Sequence, residues 1–537
     1  MDAASFSNAV RQWRTALGDD YVLTDEPSLA PYANNVSGVK RHIPAVLLPS
    51  STSEVQQLVA VANQFKVPLH PISCGRNWGF GSRLPVKDGT VIVDLGRMKA
   101  IREVNVTHHY AVVEPGVTQG QMYRHLEENK LPLVLNVTGT SCEASLIGNA
   151  LERGIGYFES RAEALTGLEV VLGNGQILRT GFGHYPDAKT AHIYRYGIGP
   201  SYEGLFFQSN FGIVTSAGVD LMPRRDAHMA VVCKIDNPDK LPAFIDALAD
   251  LRRRDVIQTV AHIGNKNRTE IAMAPLVYSQ LRRGFQGTED ELRRTAAHFL
   301  EAEGFGPWSA VMGVMGTPGQ LRAVRSEVRR AFRGLAKVMF LTDLLISVAK
   351  RLSDAFSFIP YVRRKRAVLD AVEPLYGLAK GIPTDAPMKS VFWPVGDMPR
   401  VDNEDPDQSR CGMLYCCPFI PAEGGVAAEA MDLVDRVYRK YGFVPYVTLN
   451  LLDTRALECV INLAFDRDHP AQVGKAHACN DELTGEFIRR GWMPYRLGGQ
   501  SMGMMVDEKD YYWQLARDLK KVLDPNHIIS PGRYNLV

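Results

Sequence analysis

Between residues 73 and 82 the chain reads Ser73-Cys74-Gly75-Arg76-Asn77-Trp78-Gly79-Phe80-Gly81-Ser82. Glycines at 75, 79 and 81 free backbone N–H groups to converge on an anion, and Arg76 adds a planar cationic fork. The pyrophosphate of a dinucleotide suits such a nest. The glycines alone leave a plain surface loop open as well. The spacing is not G-x-G-x-x-G behind a first strand, so a Rossmann site is not expected. A second run, Leu146 to Tyr157, carries Gly148, Gly154 and Gly156. Bare backbone there lets a flat ring or a ribose lie close, although a helix with a glycine end cap reads equally well. A third run, Asn210-Phe211-Gly212-Ile213-Val214-Thr215, opens a β-branched stretch whose backbone could pair with a ligand's polar edge.

These loops need elements to hold them. SSTSEVQQLVAVANQF predicts an amphipathic helix capped by Ser53, and VPLHPIS a strand leading into the first loop. TVIVDL, YAVVEPG and IVTSAGVDLMP predict strands. LTGLEVVLGNGQIL predicts two strands about a turn at Gly173–Gly175. QGQMYRHLEENK predicts a helix. From about 225 to 490 the pattern changes to longer helices, LPAFIDALADLRRR and EAMDLVDRVYRKYG, with strands MAVVCKI, TLNLLD and ECVINLAF. The expected fold is α+β: a first domain over 1–224, a second with its own sheet over 225–490, and a C-terminal segment, 491–537. No linker separates them, so a ligand site between domains is expected.

Composition narrows the function. With 61 Lys and Arg against 59 Asp and Glu the net charge is +2, which gives nucleic acid no electrostatic purchase. The eight cysteines include no C-x-x-C pair, so neither a disulfide framework nor a zinc ribbon is expected, and no metal site. The most apolar stretch, VMFLTDLLISVAKRL, is broken by Asp343 and Lys350 and is not expected to span a membrane. The polar N-terminus lacks signal-peptide features, which points to the cytoplasm.

Taken in order, PISCGRNWGFGS, VIVDLGRM, YAVVEPGVT, IGNALERGIGY, LEVVLGNGQILRTGFG and SYEGLFFQSNFGIVTSAGVDLMPR resemble the FAD-linked oxidase fold of the vanillyl-alcohol oxidase and 4-cresol dehydrogenase family. RRGWMPYR and LDPNHIISPGRYN extend the resemblance to the C-terminus. It implies a two-part FAD-binding domain with an α+β cap that holds substrate. Ser73, together with Gly75 to Ser82, would hold the pyrophosphate. Pro115 and Gly116 would lie near the flavin or adenosine. Thr140, Ser141, Ala144, Ser145, Gly148, Asn149 and Gly154 would follow the isoalloxazine. Ile213, Val214 and Arg533 would complete the cofactor site. Tyr495, Arg496 and Tyr157 match residues that bind a phenolic substrate as its phenolate. A guanidinium near a phenol oxygen lowers its pKa, and the phenolate then pushes electrons toward the para carbon, from which a hydride can leave for flavin N5.

Three departures bear on the substrate. Phe80 stands where relatives have a phenol-binding tyrosine. Thr140 stands where several have an acid facing N5, with Glu143 nearby. The segment that carries a covalent flavin link in relatives matches Arg410 to Tyr415, with Gly412 at the linking position and Tyr415 expected to point elsewhere; non-covalent FAD is therefore expected. Ala144, where oxidases often have glycine, favours a dehydrogenase over an oxidase. Electrons would pass to oxygen or to a separate acceptor. A non-phenolic alcohol, amine or secondary-metabolite substrate stays open, as do a flavin-binding protein without turnover and a homo-oligomer.

Overall fold

The computed structural model describes residues 3–282, 285–399, 401 and 404–535. The helix foreseen after residue 50 spans Thr52–Phe65. Its cap is Ser51 rather than Ser53: Ser51 Oγ accepts the Glu54 N–H, because the helix starts one residue before Ser53. Val55, Leu58, Val59 and Ala62 recur at helical spacing and are buried against the helix Ala3–Leu17, whose Trp13 Nε1 donates to Leu58 O.

Two small sheets and a two-stranded pair, Leu133–Val134 with Met222–Pro223, make up the first half. One runs Val22–Leu23, Val46–Leu47, Val91–Asp94, Leu69–Ile72, parallel except at its first pair. The other is antiparallel and orders Ile101–Asn105, Tyr110–Val113, Gly212–Asp220, Leu165–Leu172 and Ile177–Arg179. The C-terminal tail returns to the first sheet, where Leu69 N–H donates to Ile528 O and Ser530 N–H to Leu69 O.

The second half is built on an eight-stranded antiparallel sheet. From edge to edge it runs Lys337–Leu341, Ala227–Ile235, Trp308–Gly316, Ala261–Asn265, Tyr446–Leu451, Ala456–Asp466, Cys411–Pro421 and Pro494–Arg496. Strand side chains alternate between faces. Val231, Cys233, Ile263, Leu449, Cys459, Ile461 and Leu463 point into one large core shared with the helices Leu241–Arg253, Gly424–Tyr441 and Pro470–Arg489. The alternate residues line a cavity. Among the described residues no helix is long and apolar enough to cross a membrane.

Candidate active site

The cavity, of about 770 Å³, lies between the glycine loops of the first half and the second face of the large sheet. One wall carries Ser73, Gly75, Arg76, Asn77, Trp78, Phe80 and Ser82, with Pro115, Thr140, Ala144, Ser145, Gly148, Asn149, Gly154, Ile213, Val214 and Arg533. Gly79, Gly81, Gly116 and Ser141 do not reach it. Gly79 has a left-handed φ of +78°, and a Cβ there would come within 2.2 Å of the Tyr415 ring, so this glycine admits a neighbour rather than a ligand. Gly116 packs on the Leu95, Gly96 and Met98 carbonyls, and Ser141 Oγ donates to Asp385 at 2.7 Å. Glu143 also lies off the wall, whereas Thr140 is on it.

Arg76 is already engaged by another residue. It pairs with Asp405, which also accepts from Trp78 Nε1 at 3.0 Å and Arg83 Nη2 at 2.8 Å. Burial works against the Asp405 charge, but Arg76 and Arg83 outweigh it and hold the carboxyl below its ordinary range. Asp407 accepts from Ser82 Oγ at 2.7 Å and from Val36 N–H at 2.8 Å. The loop's shape is thus fixed from outside, by two acids just ahead of the strand Cys411–Pro421, while Arg76 itself still borders the cavity.

The wall fits a flat dinucleotide cofactor. Thr140 Oγ1 and Asn149 Oδ1 are buried with no hydrogen-bond partner among the described residues, and both border the cavity. Buried polar atoms are nearly always satisfied, so these two invite a ligand's polar edge. Ser145 caps the short helix Leu146–Leu151 through Gly148 N–H, and a Cβ on Gly148 would strike Ser73 Oγ at 2.4 Å.

The titratable groups border the cavity from the large sheet and from the seam where it meets this wall. Tyr495 and Arg496 sit on the sheet's edge strand and Tyr157 on the loop after Gly154; all three border the same cavity. Arg496 donates to Asn77 Oδ1, lies 3.7 Å from Glu152 and stands over the Phe80 ring, 4.2 Å from its centroid. The Arg533 guanidinium also pairs with Glu152. Tyr495 lies beside Glu458, a buried carboxyl whose pKa burial raises while Asn450, Tyr495 and Arg496 pull it back. Asn450 Nδ2 donates to Glu458 at 2.7 Å, and His262 Nδ1 meets Asn450 Oδ1 at 2.7 Å. That bond places the His262 proton on Nδ1 and leaves Nε2 as an acceptor with no partner among the described residues. Burial, with a smaller push from Arg268, takes the imidazole down to about 4 against the opposing bond from Asn450. The His262 ring packs on Tyr157 at 4.5 Å.

Tyr415 differs from expectation. Its ring borders the cavity and stacks near Phe80, centroids 5.0 Å apart, because Met413, Tyr415 and Cys417 share one face of their strand. Gly412 faces the other way, toward Phe465, and Cys411 is buried off the wall. Sequence reasoning also missed Glu458, His262, Arg268, Asp405 and Asp407. An acid inside the apolar run ECVINLAF was the one visible signal, since a charge within a buried strand needs a reason.

A sheet-backed cavity of this shape, with glycine loops on one wall and Tyr and Arg bordering the same space, defines an FAD-linked oxidoreductase. A family model described as an FAD binding domain matches residues 43–181. The 1'-carboxy-chondrochloren decarboxylase of Chondromyces crocatus is 31% identical over 100% of this chain and 98% of its own length. The 4-cresol dehydrogenase [hydroxylating] flavoprotein subunit of Pseudomonas putida is 30% identical over 98% of this chain and 95% of its own. The structure of 4-ethylphenol oxidase from Gulosibacter chungangensis superposes with a TM-score of 0.84 at 26% identity, covering 100% of this chain and 98% of the other. The chain therefore belongs to the FAD-linked oxidase family of vanillyl-alcohol oxidase and 4-cresol dehydrogenase, and it is an FAD-dependent oxidoreductase.

Proposed function

We propose that this enzyme takes a hydride from the benzylic or alcohol carbon of an aromatic substrate, a para-substituted phenol or aryl alcohol. The observation that carries the reading is Arg496 on the cavity wall, beside Tyr495 and facing the same space as Tyr157. Arg496 favours the phenolate over the phenol. Tyr157 offers a hydroxyl to the same oxygen. Tyr495 borders the cavity beside Glu458, and together they give the phenolic proton a route off the substrate oxygen. FAD would be held by Ser73, Gly75–Trp78, Phe80, Ser82, Thr140, Ala144, Ser145, Gly148, Asn149, Ile213, Val214 and Arg533, and would supply the hydride acceptor. Two relatives support the ring: their names carry 4-cresol and 4-ethylphenol, both para-alkyl phenols. Ala144, buried on the cavity wall, takes up the space a glycine would leave and favours a separate electron acceptor over oxygen. Residues 1–224 and 491–537 form the FAD-binding part in this reading, and 225–490 the cap.

The test is anaerobic mixing of the flavin-loaded protein with para-alkyl phenols, their meta isomers and non-phenolic aryl alcohols, followed by flavin absorbance. Bleaching by para-alkyl phenols and not by meta isomers supports the reading. Bleaching by non-phenolic alcohols alone replaces it with the non-phenolic alternative. No bleaching by any of them leaves a flavin-binding protein without turnover.

A further inference from the structure

We propose that Arg268 anchors a carboxylate on the substrate, so that the natural substrate is an aryl acid rather than a neutral phenol. This deepens the function proposed above and rests on it for the aromatic ring.

Arg268 lies in the first turn of the helix Lys266–Leu281, whose cap Asn265 accepts its backbone N–H at 2.9 Å. Its Nε donates to Thr448 Oγ1 at 3.0 Å, and its guanidinium lies 5.6 Å from the centroid of the Tyr446 ring. Thr448 and Tyr446 are on the cavity-facing side of their strand, so these contacts set the guanidinium on the cavity wall. Among the described residues four arginines border the cavity, and three of them are answered internally: Arg76 by Asp405, Arg496 and Arg533 by Glu152. Among the described residues Arg268 meets no carboxylate.

Arg268 is half-buried, so its guanidinium reaches the cavity and is available to an anion there. Thr448 takes one of its five N–H donors, and the two terminal amino groups find no acceptor among the described residues. That planar fork matches a planar carboxylate. It lies on the cap side, away from the glycine loop held by Asp405, and its field reaches Tyr157 and His262. His262 borders the same cavity, and its Nε2 is buried with no partner among the described residues.

The experiment compares the flavin-loaded protein with its Arg268→Gln and Arg268→Lys variants. Each is titrated anaerobically with 4-hydroxyphenylacetate, 3-(4-hydroxyphenyl)propanoate and phenylacetate, and with the primary amide of each. The change in the flavin spectrum gives an apparent dissociation constant. The expected result is at least one acid bound about tenfold or more tighter than its amide by the wild type, as a charge-assisted pair warrants. Arg268→Gln should lose that preference with amide affinity and flavin content retained, and Arg268→Lys should restore part of it. If Arg268→Gln does not hold flavin, a preference that Arg268→Lys fails to weaken overturns the proposal. So does a preference that survives Arg268→Gln, or none in any wild-type pair. Equal affinity for acids with and without the ring hydroxyl would defeat the phenol reading and leave the carboxylate anchor standing.

Discussion

The Arg496 guanidinium rests on the face of Phe80, 4.2 Å from the ring centroid. The ring therefore supports the cation from below while Asn77 and Glu152 hold its edges. Such a contact is worth about 0.5–2 kcal/mol, or about 2- to 30-fold in rate. Phe80→Leu should slow anaerobic flavin reduction by that factor with flavin retained. An unchanged rate in stopped-flow would show that the ring does not serve Arg496.

Arg496→Ala should reduce its flavin at least about a hundredfold more slowly, since removing a preorganised charge contact in a dry site costs roughly 2.7–4 kcal/mol. Arg496→Lys should recover little, because an ammonium lacks the planar fork. Flavin content should fall far less than the reduction rate. Wild-type reduction by Arg496→Ala would move the substrate elsewhere.

FAD is expected to come away on acid precipitation, leaving a colourless pellet. Gly412 faces Phe465 and offers no nucleophile. Tyr415 borders the cavity, but burial pushes its phenol further above its ordinary range, and no phenolate is at hand to bond a flavin methyl group. A yellow pellet that turns colourless in Tyr415→Phe would place a covalent link at that residue.

Asp407 sets a pH dependence of stability. Burial, with Asp405 beside it, pushes its carboxyl up to about 7, against bonds from Ser82 and Val36 and the charge of Arg83. As pH rises from about 4 toward 7, the unfolded chain releases this proton and the folded chain keeps it. Stability from this group is therefore full below about pH 4 and is lost by about pH 7, a change on the order of 4 kcal/mol. Asp407→Asn should melt near the wild type at pH 4 and above it at pH 8. Parallel melting curves across that range would refute the assignment.

The glycine loops, several strands of the first half and the cap strands Ala227–Ile235, Tyr446–Leu451 and Ala456–Asp466 were legible because each is written locally, in turn residues and in two-residue periods, whereas Trp308–Gly316, Cys411–Pro421 and the other cap strands were not foreseen. Tyr157, Tyr495 and Arg496 were legible through the resemblance, and the structure brings them to one cavity. What stayed hidden depends on register and on distant contacts. Tyr415 was expected to turn away, yet one step of strand parity puts it beside Met413 and Cys417 on the wall. The Asp405 partner of Arg76 stayed hidden because it lies 329 positions along the chain. His262, Asn450 and Glu458 come from three strands, so their chain of bonds exists only once the sheet has assembled.

That 329-residue separation bears on how the enzyme is made. At roughly 5–20 residues per second the ribosome exposes the glycine loop tens of seconds before Asp405 emerges. Until then Arg76 and Arg83 lack their shared acid, and the loop is held only by its own turns, such as Ser82 N–H to Asn77 O, and by Arg83 on Pro31 O. Cofactor capture must follow synthesis of the second half rather than accompany the first. Nascent chains stalled short of residue 405 should stay colourless in an FAD-supplemented translation extract, and chains released at full length should turn yellow. The flavin then acts as a late check on the whole polypeptide, since a chain truncated anywhere before Asp405 never gains the stability that the cofactor confers.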